Sequence, residues 1–126
     1  MSIARSVFTG LLLVSLVMLL LPAEDLSPNA LNDKVTHLLT FAALGLTGRW
    51  AGIPVWPLLG GLTAYAAATE VLQGMLPINR HADPRDLVAD LAGVVVGLAA
   101  SWALGRAYSR LPVPASLSTT LNEKAR

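Results

Sequence analysis

Apolar residues in this chain fall into four long blocks separated by short polar connections. The blocks run from Val7 to Pro22 behind Arg5, Val35 to Trp50, Leu58 to Leu76, and Leu87 to Tyr108. Each reads as a helix by its length and apolar character. Counting Ser2 to Ser6, the first block reaches membrane-spanning length. The second is short, about 24 Å at 1.5 Å per residue, and needs helical turns from Leu31 and out to Ala51 to cross. Pro22 and Pro28 break the chain after the first block, and Pro77 ends the third. Asp83 or Asp86 can cap the fourth. The remaining tail, 109–126, carries Pro112 and Pro114 and is expected to be loosely ordered.

The first block has the outline of a cleaved signal peptide. Leu21 and Ala23 would occupy the critical cleavage positions, and leucine is large for the first of them. A retained helix is therefore the preferred reading. No internal repeat is visible, and 126 residues suffice for one compact unit only.

Composition turns four helices into a membrane assignment. The apolar fraction is 54%, the charged fraction 13% and the mean hydropathy +0.59. A soluble domain averages about 25% charged residues, so this chain lacks the charge to cover a water-facing surface. The expected fold is all-α, a four-helix transmembrane bundle. A net charge of +1 with no long basic run excludes a nucleic-acid partner. There is no cysteine, hence no disulfide and no thiolate metal site. No cofactor is expected.

Connection charges set the orientation. Arg5 precedes the first helix, Arg49 borders the second connection, and Arg106, Arg110, Lys124 and Arg126 follow the fourth helix. Glu24, Asp25 and Asp33 dominate the first connection, whereas Arg80 and Arg85 in the third argue the other way. The balance predicts both termini in the cytoplasm. Trp50 and Trp56 mark an interface, and Trp102 reads as interfacial or lipid-facing.

The candidate chemistry lies at the opposite end. Glu70 and Asp90 sit inside apolar blocks, where a charge at the bilayer centre costs roughly 2.5–3.5 kcal/mol on insertion scales. Asp33 and His37 share one helix face, as do Glu70 and Gln73. Asp86, Asp90, Gly93 and Gly97 form a single stripe, carboxylates above and a G-x-x-x-G packing surface below. A bundle that turns these stripes inward brings Asp33, Lys34, His37, Glu70, Gln73, Arg80, Asp86 and Asp90 to one membrane face, the outer one.

Asp33-Lys34-x-x-His37 with Phe41 resembles the opening motif of the VanZ-like family. Glu70-x-x-Gln73, Arg80, Asp86, Gly93 and Gly97 resemble its second half. The likeness covers 33–97, within a membrane domain of 1–108. One position departs: the family pattern usually has Asn four residues after the loop aspartate, where this chain has Asp90. The resemblance implies a small multi-pass protein of the bacterial plasma membrane and cell envelope. It also implies a link to resistance against the glycopeptide antibiotic teicoplanin.

Each polar residue has a sharp and a bland reading. His37, with a reference pKa near 6.5, is a candidate general base; alternatively it is a hydrogen-bonded partner of Glu70 or Asp90. Glu70 is a candidate acid or base, or a structural partner of His37, Lys34 or Arg80. Asp86 and Asp90 read as a carboxylate pair, or as a helix cap and a buried hydrogen bond. With His37 and Glu70 they could hold a metal, but no H-x-x-x-H or H-E-x-x-H spacing is present, so no metal is expected. His81 and Asp83 read as solvated loop residues.

Three functions follow. The first is an outward-facing pocket binding an anionic envelope component, such as a lipid-linked cell-wall intermediate or a glycopeptide-related ligand, with Lys34 and Arg80 on the anion. The second is a membrane enzyme acting on such an intermediate through Glu70 and His37. The third is a structural or interaction protein whose polar cluster only specifies packing among helices and lipids.

Overall fold

The computed structural model describes residues 2–22, 30–111 and 123–125. Four helices and no strand are present among the described residues: α1 (Ile3–Leu20), α2 (Ala30–Trp50), α3 (Val55–Met75) and α4 (Pro84–Ser109). The expected break at Pro28, the charges at Glu24, Asp25 and Arg126, and most of the expected loose tail lie outside the described residues.

All four helices begin earlier than their apolar blocks, and for α2, α3 and α4 the local reasons are plain. α4 starts at Pro84 because Asp83 caps it. The Asp83 carboxylate accepts the Arg85 backbone N–H at 2.9 Å, and Pro84 stands in the first turn, where no N–H is needed. This corrects the expectation that Asp86 caps α4 and that Asp83 is a solvated loop residue. α2 reaches back to Ala30, placing Asp33 in its first turn, where the helix dipole favours a carboxylate. α3 starts at Val55 after Pro54, with Pro57 still inside the tolerant first turn.

The α2–α3 connection is short because a glycine closes α2. Gly52 adopts φ +85°, its N–H donates to the Arg49 carbonyl (3.0 Å), and the Ile53 N–H donates to the Gly48 carbonyl (3.1 Å). This is a Schellman closure, which places its glycine in the left-handed region. The Arg49 guanidinium donates to the Ile53 carbonyl at 2.6 Å and holds the turn.

Successive helices run in opposite directions, so α2 and α4 are parallel to each other and form the most extensive contact. Gly93 and Gly97 make it possible. A Cβ on Gly93 would overlap the Leu38 carbonyl oxygen, and one on Gly97 the Ala42 carbonyl oxygen. Gly45 on α2 reciprocates, with the Val94 carbonyl 3.0 Å from where its Cβ would stand. Small residues thus let the two backbones meet directly.

The core comprises Leu19, Phe41, Leu44, Leu58, Leu62, Ala66 and Val94. Phe41 is fully buried and tilts against Tyr65 of α3 at 5.7 Å between centroids. α1 is fastened to α3 by polar groups: Ser15 Oγ and Tyr65 Oη share a hydrogen bond at 2.9 Å, and Gln73 Nε2 donates to the Leu19 carbonyl at 2.6 Å. At the other end Arg5 reaches the Ala51 carbonyl. The start of α1 and the end of α4 therefore share one end of the bundle, opposite His37, Glu70 and Asp90.

α1 and α4 are long and apolar enough to cross a membrane. Only 11% of the apolar stretch of α1 and 22% of that of α4 is buried, whereas the core helix of a soluble protein would be mostly buried. Their outward side chains, Leu13, Val14 and Val17 on α1 and Val88, Val95, Val96 and Trp102 on α4, are exposed and almost entirely apolar.

Candidate functional site

Four structural elements converge at the end where α2 and α4 begin and α3 finishes. α2 contributes Asp33, Lys34 and His37; α3 contributes Glu70; the α3–α4 connection contributes Arg80 and Asp83; α4 contributes Asp86 and Asp90. Asn79, at φ +53°, turns that connection back over the helix ends. Asparagine tolerates the left-handed region better than most residues.

His37 and Asp90 form the innermost pair. Asp90 is fully buried and His37 is 1% exposed. His37 Nδ1 stands 2.8 Å from Asp90 Oδ1, four residues into α2 from Asp33 and four into α4 from Asp86. The parallel run of α2 and α4 makes these offsets match. No protein group among the described residues hydrogen-bonds His37 Nε2 or Asp90 Oδ2, both of which are buried.

Above this pair lies an ion-pair layer. Lys34 Nζ donates to Asp86 Oδ1 at 2.7 Å and to Asp83 Oδ2 at 3.1 Å. Arg80 lies 3.7 Å from Asp33 Oδ1, its side chain largely covered and its Nε without a hydrogen-bond partner among the described residues. The Arg85 backbone N–H, and secondarily Lys34, hold the Asp83 carboxyl below the usual carboxylate range. Asp83 thus caps α4 and anchors Lys34 at once.

Glu70 reaches the same end from α3. Its Oε1 accepts the Asp83 backbone N–H, and its Oε2 is buried with no hydrogen-bond partner among the described residues. It is within electrostatic reach of His37, Asp86 and Asp90. None of its expected side-chain partners, His37, Lys34 or Arg80, hydrogen-bonds it; it grips a loop backbone instead.

Of the eight residues expected to converge, seven do. Gln73 does not: it is buried and bonded to the last turn of α1. Its role is to hold α1 on α3, and Gln73→Leu is expected to cost about 1 kcal/mol, read as a lower thermal midpoint in detergent with the polar cluster unaffected. Asp83 joins the site unexpectedly. The signal was available, since it precedes Pro84 at the start of an apolar block, but Asp86 competed for the same cap.

The two cations expected on an anion already face carboxylates. Lys34 is held by two carboxylates, and Arg80 faces a third. Five carboxyls (Asp33, Glu70, Asp83, Asp86, Asp90) meet two fixed cations (Lys34, Arg80) and one histidine, so the cluster is carboxylate-rich. One donor atom from each of Asp33, His37 and Asp86 lies within 4.8 Å of the others. His81 is exposed and is not a member of this group.

Comparison of the chain with protein-family models, curated proteins and solved structures gave no match.

Proposed function

We propose that this chain is a VanZ-like multi-pass protein of the bacterial plasma membrane that contributes to resistance against teicoplanin-type glycopeptides. In this reading all four helices span the bilayer, both termini are cytoplasmic and the polar cluster opens on the outer face. The observation that carries it is the convergence, at one end of the bundle, of six of the residues on which the resemblance rests: Asp33, Lys34, His37, Glu70, Arg80 and Asp86. α2 and α3 are each 21 residues long, about 31 Å at the helical rise, which matches the hydrocarbon thickness. Arg5, Arg49 and Arg106 at the opposite end agree with a cytoplasmic face there.

Within that role the geometry favours acid–base work on a lipid-linked cell-wall intermediate over simple anion capture. An anion at Lys34 would have to displace Asp83 and Asp86. By contrast His37 is oriented through Nδ1 by a buried carboxylate, and its Nε2 has no hydrogen-bond partner among the described residues, the arrangement of a positioned general base.

The test uses a bacterial strain lacking the protein, complemented with wild type, Glu70→Gln or His37→Gln at equal membrane levels. Wild type is expected to raise the inhibitory concentration of teicoplanin several-fold, and neither variant is expected to do so. Unchanged susceptibility with wild type would sink the proposed process. Full resistance from both variants would remove the cluster from it. Incubating purified protein with lipid-linked cell-wall precursors, followed by mass spectrometry, separates catalysis from binding.

A further inference from the structure

We propose that Asp33, His37 and Asp86 form a binding site for a divalent transition-metal ion, of the zinc class. The site shares His37 with the acid–base reading, and a metal on Nε2 would take the place of proton transfer there; the family resemblance does not contain it. It rests only on the polar cluster.

Three observations carry it. The first is proximity: one donor atom from each residue lies within 4.8 Å of the other two. Ligands around a tetrahedral zinc stand about 3.4 Å apart, so the widest separation must contract by up to about 1.4 Å. Asp33 and His37 lie one turn apart on α2 and Asp86 stands in the first turn of α4, so the three side chains come from two helices in direct contact. The second is the state of the histidine. His37 is 1% exposed, and its Nε2 has no hydrogen-bond partner among the described residues. A buried imidazole nitrogen with no partner is costly unless something binds it.

The third observation is the group behind the histidine. Asp90 Oδ1 sits 2.8 Å from His37 Nδ1. A metal-ligating histidine nearly always uses its other nitrogen on a carboxylate or carbonyl, which fixes the tautomer and raises its basicity. Asp90 meets that requirement.

The donor set selects the ion. One imidazole and two carboxylates suit zinc, manganese, iron or cobalt, whereas magnesium and calcium prefer all-oxygen sites. Three protein ligands leave one tetrahedral position open, as in catalytic rather than structural zinc sites. Lys34 is the built-in competitor: its ammonium holds Asp86 Oδ1 at 2.7 Å. Arg80 plays the same part more weakly at Asp33, across 3.7 Å. Metal binding would therefore loosen both ion pairs, and removing the Lys34 charge should strengthen it.

The experiment uses the full chain, purified in detergent and stripped with chelator. Zinc titrated calorimetrically is expected to bind at one equivalent and to raise the thermal midpoint. Cobalt in its place is expected to give visible d–d absorption of a four-coordinate nitrogen–oxygen site. His37→Gln and Asp33→Asn should abolish the cobalt spectrum, and His81→Gln, which alters the exposed histidine, should preserve it. Lys34→Met should tighten zinc binding several-fold, an outcome that a purely structural cluster would not produce. The proposal is overturned if the folded wild-type protein binds neither ion, if His81→Gln removes the spectrum, or if Lys34→Met weakens binding. Susceptibility in cells plays no part in these readouts, so the metal site and the glycopeptide role can fail independently.

Discussion

Asp90→Ala is expected to destabilise the protein by about 3–5 kcal/mol, the range for removing one partner of a buried charged pair. Asp90 is fully buried at the contact of α2 with α4, and His37 Nδ1 at 2.8 Å is its one hydrogen-bond partner in the described part of the chain. Alanine leaves the His37 ring with both nitrogens unpartnered inside the bundle, and it opens a small void between helices that meet backbone to backbone. Asp90→Asn separates these contributions. The amide keeps the shape and can still accept a hydrogen bond from Nδ1, so its cost is expected to stay within about 1.5 kcal/mol, the net value of a typical hydrogen bond. Unfolding in mixed micelles, followed by tryptophan fluorescence, checks both. If Asp90→Ala were as stable as Asp90→Asn, the pair would not hold α2 to α4. The asparagine variant also divides structure from function. It should fold, yet a neutral amide orients the imidazole less firmly than a carboxylate, so activity or metal affinity that depends on His37 should fall while stability holds.

Gly97→Val should be comparably damaging, by a different mechanism. The Cβ of any residue at 97 overlaps the Ala42 carbonyl oxygen and comes within 2.9 Å of the Leu46 amide nitrogen. Both are backbone atoms of α2, and neither can rotate away as a side-chain tip can. Overpacking into a well-filled core typically costs 1–3 kcal/mol; a rigid backbone neighbour and a branched side chain place Gly97→Val at about 3 kcal/mol or more. Separating α2 from α4 here also shifts His37 relative to Asp90 two turns away. Gly105→Ala on the same helix is the control. Nothing lies within 4 Å of its Cβ position, and alanine favours a helix over glycine by up to about 1 kcal/mol. Thermal unfolding should therefore rank Gly97→Val far below wild type and Gly105→Ala at or slightly above it. Equal effects at 97 and 105 would mean that α2 and α4 do not meet through their glycines.

These two predictions fall on residues of different legibility. The glycine stripe could be read from spacing alone, because Gly93 and Gly97 stand one turn apart in an apolar block and close helix contact is what such a pair serves. Asp90 could be read as costly and therefore partnered, but not with whom. His37 had Glu70 and Asp90 as equal candidates. Glu70 had three side chains to choose from and takes a backbone N–H of the connection. Lys34 looked available to a ligand and is held by Asp83 and Asp86. Each of these misses has one cause: a carboxylate and a cation attract in almost any pairing, so sequence position alone does not select among them.

Four helices, their approximate ends, a composition suited to lipid and the gathering of ionisable residues toward one end were all determined by the sequence by itself. They follow from hydrophobic blocks, prolines and the helical repeat, which act over a few residues at a time. The partners were decided only by the tertiary structure. α2 and α4 run parallel with glycines in contact, which brings His37 level with Asp90 and Lys34 level with Asp86. The α3–α4 connection folds over the helix ends, which carries Asp83 into the site, and the lean of α1 on α3 takes Gln73 out of it. The physical reason is that pairing depends on how far one helix is rotated and slid against another. That is set by the sum of all contacts between helices and by no short stretch of chain.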